Sequence, residues 1–181
     1  MNATMPTLIT AIVVVFIVAC CVVDARTRRI PNVLSFSAML AGIGLNAMYF
    51  GVSGLGVSLG GLLAAAAILL PAFAAGGIGA GDVKMMGAIG ALVGPELALA
   101  GLGLGMIFGG LIMLVHLARR GRLQEKLWST WAMLASAALA RSIEPLRAPA
   151  ADPNAVALRY SVPLGLGTVV VLVFLGTRGP L

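Results

Sequence analysis

Residues 6–29 read PTLITAIVVVFIVACCVVDARTRR. Eighteen residues without a formal charge run up to Asp24, and Arg26, Arg28 and Arg29 follow within five positions. An α-helix rising about 1.5 Å per residue needs roughly 18–20 such residues to cross a ~30 Å hydrocarbon core. Further apolar runs occupy 33–50, 54–75, 82–94, 97–117 and 160–177. The expected fold is all-α: a polytopic membrane helix bundle with about six transmembrane helices, forming one integral membrane domain over 1–181. Composition agrees. Of 181 residues, 60% are hydrophobic and 10% charged, against about 25% charged in a soluble domain. A water-soluble globule could not be covered by so little polar surface.

The first run is not read as a cleavable signal peptide, because no Lys or Arg precedes it and the Asp24–Arg29 segment follows directly. The same lack argues against Ile17-Val18-Ala19-Cys20 as a lipidation box. Cys20 and Cys21 are adjacent, which disfavours a disulfide, and no metal-type cysteine spacing exists. They read as small packing residues.

The net charge of +6 does not indicate nucleic acid, since the basic residues form short clusters between apolar runs. They read instead as orientation signals. Eleven of the twelve cations fall on one predicted side, from Arg26, Arg28, Arg29 and Lys84 to the cluster between 119 and 159; Arg178 alone falls on the other. That side is the expected cytoplasmic face, with both termini outside. The run 82–94 spans only about 20 Å as a helix, and Gly94-Pro95 is expected to end it. The charge rule favours a true short span there over a re-entrant one.

Within 119–159, Leu123, Leu127, Trp131, Leu134 and Ala138 recur at helical spacing. They predict an interfacial amphipathic helix with Trp128 and Trp131 near headgroup depth, followed by an irregular connector at Pro145, Pro149 and Pro153. Gly101, Gly105 and Gly109, with Gly56 and Gly60, form stripes that predict close helix packing within the bundle rather than a dimer contact. His116 has no sequence partners for a metal site, and no cofactor is expected.

Only six carboxylates exist. Glu96, Glu125, Glu144 and Asp152 fall in predicted turns or polar connectors, whereas Asp24 and Asp82 each close or open an apolar helix on the same predicted face. Carboxylates near bilayer depth cost roughly 2.5–3.5 kcal/mol at a helix centre, so those kept there face protein or water. Two together can hold one proton between them. One then activates water against a scissile carbonyl while the other donates a proton. Gly76–Gly81 supplies an adaptable backbone before Asp82, along which an extended substrate can lie. The plain alternative is a glycine loop with Asp82 as a helix cap. Lys84 is either a charge partner for Asp82 or a cytoplasmic anchor.

Gly79-Ala80-Gly81-Asp82 with Lys84 resembles the GxGD signature of the type IV prepilin leader peptidases. Asp24 through Ile30-Pro31-Asn32 resembles the first catalytic segment of that family, about 58 residues earlier. Tyr160-Ser161-Val162-Pro163-Leu164-Gly165-Leu166-Gly167 is similar to its last-helix segment. The resemblance implies an aspartic endopeptidase of the bacterial inner membrane that removes a basic leader from a prepilin or pseudopilin at the cytoplasmic face. It implies Asp24 and Asp82 as catalytic, with Gly79, Gly81 and Lys84 along the substrate approach. Larger members carry a paired CxxC insert and also methylate the new amino terminus. Here no CxxC is present, so methylation is not implied, and the short form resembles the peptidases of Flp/Tad pilus systems. The partners implied are the substrate and the lipid bilayer, with no nucleic acid.

Three other readings compete. A presenilin-like enzyme usually sets its first acid deep in a helix, unlike Asp24. An ion-coupled transporter can use paired acids as a proton relay, although no internal repeat accompanies them here. A non-catalytic assembly subunit would have no need of both aspartates.

Overall fold

The computed structural model describes residues 7–27, 29–74, 77–119 and 160–174, and every regular element among them is an α-helix. The helices are α1 (Thr7–Thr27), α2 (Asn32–Ala74), α3 (Ala80–Val93), α4 (Pro95–Arg119) and α5 (Ser161–Phe174). Three of them, α1, α2 and α4, are long and apolar enough to cross a membrane, while α5 is a shorter apolar helix. The interfacial helix expected around Trp128 and Trp131, and the proline connector after it, lie outside the described residues.

α2 has 43 residues, or about 64 Å if straight, yet it is a hairpin. Asn46 Nδ2 donates to Ser58 Oγ at 3.0 Å, and Ser58 Oγ lies 3.2 Å from the Gly42 carbonyl. Residues 12 apart on a straight helix stand about 18 Å apart, so the chain has turned back on itself. The reversal is at Gly51, with φ 61° and ψ −142°, a region essentially confined to glycine. It falls between the two runs read at 33–50 and 54–75. No heavy atom lies within 4 Å of where a Gly51 Cβ would sit, so Gly51→Ala meets only the backbone strain. A loss of about 1–3 kcal/mol is expected, seen as a lower unfolding temperature in detergent with the site intact.

The first arm of α2 leads away from the Asn32 end, and the second returns to Ala74. α3 descends beside both arms, and its residues from Met85 to Val93 are all buried. A helix apolar on every side belongs at the centre of a bundle. Gly61 and Gly90 bring α2 and α3 into backbone contact, since a Cβ on either would collide with the other's carbonyl. α3 ends at Gly94, with φ 82°, and Pro95 opens α4 at the position where a missing N–H costs nothing. The break expected at Gly94-Pro95 is therefore present.

α4 runs back beside α5. Gly101 meets Thr168, Gly105 meets Leu164, and Gly109 meets Pro163 and Tyr160. The Gly101–Gly105–Gly109 stripe thus packs inside the bundle. Gly56 and Gly60 do not: both are exposed, with open space where a Cβ would stand. Gly54 and Gly61 make the close approaches on that arm instead, because they face the first arm and α3. Large apolar side chains such as Leu40, Met48 and Val52 point outward, each at least 70% exposed, as a bilayer permits and water does not.

Candidate active site

The C-terminus of α1 and the N-termini of α2, α3 and α5 meet at one end of the bundle. α1 does not stop at the aspartate, as the apolar run suggested, but continues to Thr27. Thr27 Oγ1 lies 3.0 Å from the Val23 carbonyl and 2.8 Å from that of Arg29, so its one proton serves either the last turn of the helix or the residue just beyond it. Asp24 therefore sits within the last turn of α1, half-buried. Its own helix gives it nothing, because the C-terminal end of the dipole repels an anion. The partner comes from α5: Ser161 Oγ donates to Asp24 Oδ2 at 2.7 Å. Beside it, Cys21 Sγ donates weakly to the Ser161 carbonyl at 3.6 Å.

Asp82 has the opposite local setting. Gly79 is the N-cap of α3, and Asp82 is the third residue of the helix. Its N–H donates to the Gly79 carbonyl at 3.1 Å, and its carboxylate lies back beside Gly79, with Oδ2 3.4 Å from where a Gly79 Cβ would stand. An anion at the third position of a helix meets the favourable end of the helix dipole. Asp82 is not the cap of this helix: Gly79 takes the N-cap position, with no side-chain cap hydrogen bond. The Asp82 carboxylate is half-buried and within electrostatic reach of Asp24.

Two contacts fasten the segment after Asp24 to the segment before and after Asp82. The buried Ile30 side chain packs on Gly81, where a Cβ would come within 3.4 Å of it. Lys84 Nζ donates to Asn32 Oδ1 at 2.8 Å. Of the two roles weighed for Lys84, charge partner of Asp82 or anchor, neither describes this bond: it ties the start of α2 to the first turn of α3. Gly79 is exposed and Gly81 half-buried, so the backbone before Asp82 lies open on the outer side.

α5 closes the arrangement. A Cβ on Gly165 would strike Ile17 and approach Cys21 and Met85, so α1, α3 and α5 meet at that glycine. Glu96, in the first turn of α4 at the opposite end of the bundle, takes no part. His116 lies in the last turn of α4 with its Nε2 enclosed and without a hydrogen-bond partner among the described residues.

Sequence reasoning singled out Asp24, Gly79, Gly81, Asp82 and Lys84, and all five lie at one end of the bundle. It missed the use of Ser161, Ile30 and Asn32 as the contacts holding them. Those residues were visible only as parts of motifs; their partners are 137, 51 and 52 positions away.

No curated protein and no solved structure matches the chain. The family model of the type IV leader peptidases matches residues 11–114, more than half of the chain, and that stretch includes both aspartates and the loop between them. A match of this extent, on a helical bundle that brings the Asp24 and Asp82 segments together, makes the chain a member of the type IV leader peptidase family.

Proposed function

We propose that this chain is a prepilin leader peptidase in which Asp24 and Asp82 act as an acid–base pair. The observation that carries the reading is the meeting of the Asp24 segment with the Gly79–Lys84 segment, through Ile30 on Gly81 and Asn32 on Lys84. Between the carboxylates, one group takes a proton from water as its oxygen attacks the peptide carbonyl, and the other gives a proton to the departing amine. The proton taken by the first is available for the second after each turnover, so the pair ends as it began.

The substrate is a membrane-anchored prepilin or pseudopilin with a basic leader, of the Flp type. Its extended backbone lies along Gly79–Gly81, where the absence of side chains permits close approach. The six helical segments among the described residues, counting both arms of α2, alternate in direction and act as six spans of the bacterial inner membrane. The site end is cytoplasmic, where the positive-inside rule puts Arg26, Arg29 and Lys84. Both termini then lie outside, and 1–181 forms one domain.

The test is reconstitution of the purified chain in liposomes with an Flp-type prepilin, followed by mass spectrometry of the product. Leader removal at one bond supports the reading. A folded protein that leaves every prepilin intact would move the transporter and assembly readings ahead.

The Lys84–Asn32 bond gives a smaller prediction. Lys84→Met and Asn32→Leu should each lower kcat/KM about two- to tenfold, the range of one ordinary hydrogen bond. Combining them should cost no more than either alone, because both remove the same contact. Additive losses would show that the two residues act separately.

A further inference from the structure

Ser161 is fully buried at the start of α5, outside the stretch that carries both aspartates, and its hydroxyl donates to Asp24 Oδ2 at 2.7 Å. A carboxylate at the end of a side chain with two torsions has many orientations in a half-open site. Asp24 has no help from its own helix, because it stands in the last turn, where the free backbone groups are carbonyls and cannot donate to it. Asp82, by contrast, stands in the first turn of its own helix beside Gly79, where the free backbone groups are N–H donors. The two acids are thus oriented by different means, one local and one through a helix 137 residues away.

We propose that Ser161 is the positioning residue for Asp24: by occupying Oδ2 it fixes the plane of the carboxylate and leaves the other oxygen to face the reacting water. The inference rests on the two-aspartate reading above. Three features of the fold make the donor rigid. Gly165 lets α5 press against Ile17 and Cys21 of α1, one turn from the contact. Gly105 and Gly109 hold the other side of the same turn against α4 through Leu164, Pro163 and Tyr160. The Leu164 N–H closes the first turn of α5 onto the Tyr160 carbonyl at 3.0 Å. The serine hydroxyl therefore approaches Asp24 from a backbone that has little room to shift.

The experiment compares Ser161→Ala and Ser161→Cys with wild type on a reconstituted prepilin, measuring kcat and KM separately. Cysteine keeps the shape of serine with a somewhat larger atom and replaces a strong donor with a weak one, so it leaves no cavity and decides the matter if the alanine variant does not fold. Thr168→Val is the control, since Thr168 is also buried on α5 but donates to the Leu164 carbonyl at 2.9 Å, away from either acid. Expected is a fall in kcat of about ten- to a hundredfold, the span of one hydrogen bond to a charged group. KM should stay within about twofold, and Thr168→Val should keep its kcat. The proposal is overturned if a folded Ser161 variant keeps wild-type kcat, if KM rises while kcat holds, or if Thr168→Val loses kcat equally. Activity surviving in Asp24→Asn would sink the two-aspartate reading itself, which the serine variants alone do not test.

Discussion

Asp24→Asn and Asp82→Asn are each expected to cut leader removal by at least about a thousandfold, while the protein still inserts and unfolds at nearly its wild-type temperature. The size follows from what asparagine lacks. Its amide neither takes a proton from water nor gives one to an amine, and a general acid or base contributes roughly 10²–10⁴ in rate. Partners acting as a unit lose nearly everything when either is removed. The fold survives because asparagine has the same shape, and at position 24 its carbonyl oxygen still accepts from Ser161. Loss of the Asp82 charge at the N-terminus of α3 costs at most about 1 kcal/mol. Glu96→Gln, at the far end and exposed, should be indistinguishable from wild type. The check is single-turnover cleavage in liposomes beside a thermal melt in detergent. Cleavage retained by either asparagine variant would remove that residue from the chemistry.

The largest stability effect is expected far from the site, at Asn46. This side chain is 4% exposed, and its Nδ2 lies 3.0–3.1 Å from the carbonyls of Gly42, Ala91 and Leu92 and from Ser58 Oγ. Ser58 Oγ in turn reaches the Ala91 carbonyl at 2.6 Å. Ala91 and Leu92 are in the last turn of α3, where helical carbonyls have no partner within the helix. Pro95, opening α4, has no N–H to offer them. α3 has 14 residues, about 21 Å, so its end lies short of a ~30 Å core. An unpaired carbonyl inside protein or lipid costs several kcal/mol. Asn46→Leu should therefore destabilise the bundle by about 3 kcal/mol or more, and Ser58→Ala by about half as much. Equilibrium unfolding in mixed detergent would measure both. An Asn46→Leu protein as stable as wild type would mean that water reaches those carbonyls.

Asn46 also marks where legibility in the sequence ends. Nothing local sets it apart from any polar residue in an apolar run, because the α3 carbonyls it meets are 45 and 46 positions away on another helix. Gly51 and Gly94 differ in this respect: each interrupts an apolar run at a place where only the backbone must change direction, so the breaks could be expected from the runs on either side. The glycine stripes divide along the same line. Spacing shows that Gly101, Gly105 and Gly109 share a face, as do Gly56 and Gly60, but not which face meets a neighbour. Gly101, Gly105 and Gly109 pack on α5, whereas Gly56 and Gly60 face away from the bundle.

By itself the sequence determined the apolar runs, the clustering of cations, the glycine loop before Asp82 and the selection of Asp24 and Asp82 from six carboxylates. These are properties of short stretches, set by bilayer thickness, by the cost of charge in hydrocarbon and by backbone sterics, and they need no knowledge of what packs where. Only the tertiary structure decided that Ile30 and Asn32 clasp Gly81 and Lys84, that Ser161 donates to Asp24, and that Asn46 and Ser58 close the end of α3. Each of these is a contact between side chains or backbones from distant parts of the chain. In a helical bundle such contacts depend on the rotation and depth of every helix together, which no local run of residues encodes.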